Sequence, residues 1–254
     1  KYNMIHTLIG NLGHLFVTCA FVASLFATIA FYIGLKKDSW IRFGSRLFFL
    51  HAFSVFGIVI SLFLIINRHY FEYHYAWSHT SKYLPIYYQI SSFWNGQEGS
   101  FLLWMFWNAI IGIVLMVTNK FWKAPVMVFV SLTQAFLTSM ILGSVIFELK
   151  IGSSPFILLR DVIQDTIFQI NPDFVPPDGN GLNPLLQNYW MVIHPPTLFL
   201  GFATTVVPFA FCLGGLITGN LKAWIRPALP WAQFSALVLG VGILMGAYWA
   251  YETL

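Results

Sequence analysis

Asn183-Pro-Leu-Leu-Gln-Asn-Tyr-Trp-Met-Val-Ile-His194-Pro195-Pro196-Thr-Leu-Phe-Leu-Gly-Phe202 sets one histidine against two prolines, immediately before a long apolar run. Proline has no backbone N–H and fits the first turn of a helix. The residue before a proline is pushed out of the helical region. The spacing therefore predicts a helix that opens at Pro195, with His194 at its mouth. The run continues to about Thr218, long enough to cross a bilayer. An imidazole at that mouth lies where water meets lipid. The positive end of the helix disfavours the imidazolium form and leaves the ring in its ligating state. Such a ring can bind a metal, haem iron among the candidates, and the same helix end attracts an acidic group such as a propionate.

The rest of the chain agrees with a membrane setting. Apolar residues make up 58% of the 254 and charged residues only 9%, where soluble domains average about a quarter charged. The apolar runs are continuous over roughly 19–25 residues, which argues for helices and against the short alternating strands of a barrel. The fold expected is all-α: a polytopic membrane bundle with about six spans. They lie at roughly 8–35, 47–66, just after Gly99 to 118, 125–147, 195–218 and 230–251. The net charge of +4 needs no nucleic acid to explain it. Cys19 and Cys212 both lie inside spans and read as small core hydrophobes. No Cys-x-x-Cys-His occurs, so the chain is not expected to attach haem to itself.

Charge sets the expected orientation. Lys36, Lys37, Arg42 and Arg46 border the first short loop, Lys120 and Lys123 the second, and Lys222 and Arg226 the third. Basic short loops face the cytoplasm. The long loops at about 67–98 and 148–194, and both chain ends, then face outward. The loop at 67–98 is dense in aromatics, from Tyr70 to Trp94, and can supply either an interfacial belt or an apolar floor for a planar ligand. The ends, Lys1-Tyr-Asn-Met4 and Tyr251-Glu-Thr-Leu254, suggest part of a longer polypeptide or a split subunit.

Within the spans, His14 and His51 are ionisable residues in an expensive place, which makes them candidates for metal ligation or proton handling, or else neutral rings bonded to a neighbouring helix. His69, His74 and His79 in the first outward loop read as solvated surface. Glu98 falls in the first turn of the third span, where a carboxylate complements the helix dipole. No paired-carboxylate, nucleotide-binding or Ser/His/Asp pattern is present.

Two segments carry a family resemblance. Leu182-Asn-Pro-Leu-Leu-Gln187 with Ile193-His-Pro-Pro-Thr-Leu-Phe-Leu-Gly-Phe202, and Trp94-Asn-Gly-Gln-Glu-Gly-Ser-Phe-Leu-Leu-Trp104, together resemble the N-terminal part of the CcmF-type cytochrome c haem lyases, within the wider haem-handling family that includes CcsA. Gly246-Ala-Tyr-Trp-Ala-Tyr-Glu-Thr-Leu254 is similar to the segment that leads into that family's tryptophan-rich haem signature. The resemblance implies a single membrane domain of a bacterial inner membrane protein, part of a larger haem lyase. It would hold haem b transiently and non-covalently at the outer face for thioether attachment to apocytochrome c. Partners implied are apocytochrome c, a haem-delivery protein, other maturation subunits and the lipid bilayer, with no nucleic acid. His194 matches the family's first outward haem ligand, with Trp94, Glu98 and Trp190 as supporting residues. The tryptophan-rich signature, a second outward histidine and an embedded histidine pair are expected beyond Leu254. The family's usual Gly-Ala-His before Glu-Gly-Ser reads Asn95-Gly96-Gln97 here, so no ligand is carried to that position.

Two other function classes are open to the same residues. A cytochrome b-type electron-transfer subunit would need histidines paired on facing helices, and His14 with His51 is the pair on offer. A transporter would need broken helices in related halves, which the sequence does not show.

Overall fold

The computed structural model describes residues 5–253; the terminal residues 1–4 and 254, on which the reading of the chain ends rests, lie outside them. Two long helices open the chain, α1 (Thr7–Gly34) and α2 (Asp38–Asn67). Two short ones follow, α3 (His74–His79) and α4 (Ile86–Ser91), and then the long α5 (Gln97–Thr118) and shorter α6 (Lys123–Ser139). A two-stranded antiparallel hairpin, β1 (Ser144–Ile146) and β2 (Leu149–Ile151), precedes the short helices α7 (Leu159–Val162) and α8 (Thr166–Ile170). The long helices α9 (Tyr189–Thr218) and α10 (Ile225–Thr253) complete the bundle.

Among the described residues, five helices are long and apolar enough to cross a membrane: α1, α2, α5, α9 and α10. The protein is a multi-pass membrane protein with an all-α bundle. α6, with 17 residues, rises about 26 Å at 1.5 Å per residue, slightly less than a hydrocarbon core of about 30 Å. It still carries the chain from one end of the bundle to the other. Ser153, just beyond it, donates to Glu98 at the start of α5, and Ser154 meets His14 near the start of α1.

The expected span 125–147 is therefore too long. The helix stops at Ser139, and Phe147 and Glu148, both with positive φ, form the two-residue connection of the hairpin. Paired left-handed residues make a type I′ turn, whose usual sequence signal is Asn-Gly. Phe-Glu carries no such signal, so the apolar run reads as more helix. α2 starts at Asp38, well before the expected Leu47. Its acid complements the helix dipole, and Arg42 and Arg46 ride on the first turns with their charges free to reach outward.

α1 packs along α2 and α6; α5 lies against α2, α6 and α9; α10 packs on α9. Two apolar clusters fill the interior. One joins α1, α2 and α5 near the long loops, with Ile58, Leu62, Leu102 and Met105 fully buried. The other, at the opposite end, holds Phe31, Phe48, Met127 and Phe211. Burying each such side chain is worth about 1.5–3 kcal/mol relative to water, but lipid offers no such gain. Inside a bilayer the close fit and the satisfied polar groups must hold the helices together.

The loops at the long-loop end are knit to one another. Tyr73 bridges to Leu158, His74 N–H donates to Ile157 O, and Leu159 N–H donates to Glu72 O. Asp178 accepts from Ser81 Oγ and the Lys82 and Gly179 amides. Tyr73 donates its hydroxyl to His6 O at 2.7 Å and accepts from Gly10 N–H at 3.0 Å, satisfying a free amide of the first turn of α1. Burial pushes that phenol up to about 12, so it stays a donor.

The turn before α5 depends on Tyr75. Its buried hydroxyl donates to Phe93 O at 2.7 Å and accepts from Gly96 N–H at 3.1 Å. A Cβ on Gly99 would collide with the Phe93 carbonyl and that hydroxyl. Gly99→Ala is expected to lower stability by about 1–3 kcal/mol, read as a lower midpoint of thermal unfolding in detergent; an unchanged midpoint would show that the turn can move aside.

Candidate functional site

The His-Pro-Pro segment does not open a helix. α9 begins at Tyr189, capped by Asn188, whose side chain accepts from Trp190 N–H at 3.1 Å. His194, Pro195 and Pro196 lie inside the helix. The expectation of His194 at the mouth is corrected: it is the sixth residue after the cap, about 9 Å down the helix axis. The sequence did contain the right signal, an asparagine before an apolar run, but the prolines read more loudly.

A proline inside a helix removes one backbone donor and leaves the carbonyl four residues earlier without its partner. Pro195 does this to Met191. The indole of Trp94 supplies the missing donor, Nε1 to Met191 O at 2.9 Å. A second indole, Trp107 Nε1 of α5, donates to Pro196 O at 3.1 Å. Trp94 of one motif and Trp107, further along α5, thus donate to the α9 backbone on either side of His194, and Trp94 replaces the donor that Pro195 removes.

His194 is half-buried. Its Nδ1 lies 2.9 Å from Gly242 O on α10. A carbonyl can only accept, so Nδ1 carries the proton and the lone pair of the neutral ring resides on Nε2. Nε2 has no hydrogen-bond partner among the described residues. The ring lies over Gly246, where a Cβ would fall 2.7 Å from Cε1 and 3.2 Å from Nε2. Trp249 meets the ring edge-on, with centroids 5.8 Å apart. Gly242 and Gly246 form a Gly-x-x-x-Gly pair, the spacing that lets membrane helices approach closely, and a Cβ on Gly242 would fall 3.0 Å from Leu198 Cα. Trp190, one turn before His194, donates Nε1 to Glu252 at 2.7 Å and packs on Tyr248. An imidazole with a fixed tautomer and an unengaged Nε2 suits an iron ligand, and the surrounding tryptophans suit a planar macrocycle.

The remaining candidates are distributed elsewhere. Glu98 lies in the first turn of α5 as expected, but its partner is Ser153 Oγ at 2.6 Å, and the charges it influences are His74 and His79. His14 is exposed on α1 beside Ser154 and Phe156. His51 is sealed within the bundle, with Nδ1 2.9 Å from Ala20 O. The fold thus gives His14 and His51 separate partners and does not bring them together as a pair. The loop histidines are half-buried and not the solvated surface the sequence suggests. Several rings of the aromatic loop join the bundle's core: Phe71, Tyr73, Tyr75 and Phe93 are buried, the last three among residues of α1, α2 and α5, and so are not available as a floor for a planar ligand, while Tyr83 is 90% exposed. Cys19 and Cys212 are free and lie within α1 and α9. Sequence reading assigned no role to Trp107, Gly242, Gly246 or Trp249; the Gly-x-x-x-Gly spacing was a signal for the glycines, and the family resemblance of Gly246–Leu254 was one for Gly246 and Trp249.

Trp94→Phe keeps the ring and removes the donor, leaving Met191 O unpaired. A cost of about 1–3 kcal/mol is expected, with faster hydrogen exchange at the start of α9 as its local signature; uniform exchange rates would sink the anchoring role. A pH effect follows from the first loop. Burial lowers the titration of His79 and His74 below 6.5, against the opposing pulls of the Tyr75 carbonyl on His79 and of Glu98 on both. The unfolded loop therefore binds protons that the folded loop refuses, so loop stability is full well above pH 6.5 and declines as the pH falls below it. Hydrogen exchange over residues 70–98, corrected for intrinsic rates, should quicken in that window, and His79→Gln should flatten the dependence.

The chain is similar to proteins of cytochrome c assembly. The family model described as cytochrome C assembly protein matches residues 94–254. A cytochrome c-type biogenesis protein CcmF of Haemophilus influenzae is 33% identical over 195 residues, covering 76% of this chain and 28% of the relative. That of Pseudomonas aeruginosa is 34% identical over 181 residues, 71% of this chain and 25% of the relative. That of Escherichia coli is 29% identical over 224 residues, 86% of this chain and 32% of the relative. The chain thus spans roughly a quarter to a third of these relatives' length. The solved structure of a cytochrome c haem lyase CcmF shares the fold over 99% of this chain and 37% of its own, at a TM-score of 0.74 and 22% identity. With the family model covering the Trp94 segment, the His-Pro-Pro helix and α10, this chain belongs to the cytochrome c assembly protein family, and within it to the CcmF type.

Proposed function

We propose that this chain is the N-terminal, haem-holding portion of a haem lyase for cytochrome c maturation, whether as part of a longer polypeptide or as a split subunit. One observation carries the reading: His194 Nδ1 is engaged by Gly242 O, which directs the free lone pair to Nε2 beside Gly246 and Trp249. His194 would ligate the haem iron through Nε2 in this proposal. Trp190, held by Glu252, and Trp94, which anchors α9 at Met191, support the site from the same end of the bundle. Glu98 serves the loop next door. Haem b, bound non-covalently and transiently, supplies the vinyl groups that the thiols of an apocytochrome add to. This chain's own contribution is placement: it fixes the imidazole tautomer, orients the ring and packs indoles around it.

The orientation proposed follows from charge. Lys36, Lys37, Lys120, Lys123, Lys222 and Arg226 lie at the end of the bundle opposite the long loops, which favours that end for the cytoplasm and the His194 end for the outer face of a bacterial inner membrane. The partners proposed are apocytochrome c, a haem-delivery protein and other maturation subunits, with the surrounding lipid. A cytochrome b-type subunit is disfavoured by the separate hydrogen-bond partners of His14 and His51.

His194→Ala in the complete protein is expected to abolish haem absorbance from the outer-face site and to stop cytochrome c maturation, whereas Gly246→Ala, which crowds Nε2, should weaken haem retention about 10–100-fold without unfolding the bundle. Unchanged haem content with normal maturation in His194→Ala would overturn the assignment.

A further inference from the structure

The centre of the bundle holds a polar cluster that the haem site does not use. His51 on α2, Asn108 on α5, and Ser131 and Gln134 on α6 are all between 0% and 2% exposed. Each has one buried atom with no hydrogen-bond partner in the protein: His51 Nε2, Asn108 Nδ2, Ser131 Oγ and Gln134 Oε1. Unpaired buried polar groups are costly, and more so where lipid surrounds the fold.

Packing places the four near one level. Phe48 of α2 lies against Gly112 of α5, since a Cβ there would strike its ring. His51 is about one turn beyond Phe48, and Asn108 one turn beyond Gly112 in the same direction, because α2 and α5 run oppositely. Gln134 of α6 donates Nε2 to Met105 O at 3.0 Å. Ser131 precedes Gln134 by three residues, and Asn108 follows Met105 by three, so the antiparallel pair brings Ser131 and Asn108 level with each other.

For two of the four, the bonds already made fix the hydrogen-bond roles. Gln134 Nε2 donates to Met105, leaving Oε1 as a free acceptor. His51 Nδ1 donates to Ala20 O, leaving Nε2 as a second. Asn108 Nδ2 is a free donor, and the Ser131 hydroxyl can donate. Two acceptors and two donors are the complement of a single water molecule, and 2–4 polar partners are what a buried water takes. A cation fits poorly: Glu72, in the outer loop, is the sole carboxylate among the buried described residues.

We infer that His51, Asn108, Ser131 and Gln134 form an internal site for one water molecule, which donates to His51 Nε2 and Gln134 Oε1 and accepts from Asn108 Nδ2 and Ser131 Oγ. The site ties α2, α5 and α6 in register through a shared ligand, and it keeps a proton-accepting nitrogen in contact with water inside an apolar span.

The test is water-edited solid-state NMR on the chain in lipid bilayers, with the histidine rings labelled with 15N. The expected His51 signature is a protonated Nδ1 and an unprotonated Nε2 that receives magnetisation from water as early as the loop histidines do. His51→Gln assigns the signal; should it fail to fold, Ser131→Ala, which removes only a hydroxyl, identifies the same signal by its shift. In Ser131→Ala the transfer should fall by about a quarter, one of four partners being lost; an unchanged transfer would remove Ser131 from the site. No early transfer to His51, or a protonated Nε2, would overturn the site.

Discussion

The hydrogen bond from the Trp94 indole to the Met191 carbonyl is the contact on which the His194 region depends. In a bundle bathed by lipid, a backbone carbonyl stripped of its helical donor has no water to turn to. Pro195 creates that situation at Met191, and an outside donor lowers its cost. Trp94, held on a turn that Tyr75 locks from beneath, provides it. The helix can then begin at Tyr189, and His194 is carried on a rigid element. A ring carried on a helix is restricted in χ1 and in its packing environment, so the direction of its free Nε2 is set by the fold.

The same accounting explains the shape of the site. α9 and α10 come close because Gly242 and Gly246 present no side chains, and the close approach is what lets Gly242 O reach His194 Nδ1. That bond selects the tautomer, and Gly246 leaves Nε2 uncrowded by a Cβ. A histidine against a bulkier helix would have been pushed outward or covered. Trp190 and Glu252 join the ends of the two helices above it. The relation of this geometry to the CcmF fold, shared over nearly the whole chain, places the candidate ligand within a scaffold that the family uses.

The structure also separates two histidines that sequence places side by side as candidates. His14 and His51 both fall in apolar runs, and neither periodicity nor composition says which way each ring points. The bundle turns His14 outward to Ser154 and seals His51 inward against Ala20. One becomes a residue of the outer rim, the other the centre of a buried polar cluster.

Composition, run length and loop charge determined that this is an all-α, multi-pass membrane bundle, because bilayer thickness and backbone satisfaction leave few alternatives to a chain so apolar. The His-Pro-Pro and Glu-Gly-Ser segments likewise identified the family, since motif residues are legible one by one. The end of α6 was not legible: the helix stops at Ser139, and the apolar residues that follow pass through the left-handed Gly143 into a hairpin whose turn, Phe147-Glu148, carries no Asn-Gly signal. Nor was the start of α9, because local proline preference is outweighed by a donor that arrives from Trp94, nearly a hundred residues earlier. Which nitrogen of His194 is free, and that Gly246 and Trp249 surround it, was decided by the packing of α9 on α10 alone: hydrogen-bond partners and steric room belong to neighbours in space, and a linear sequence does not record them.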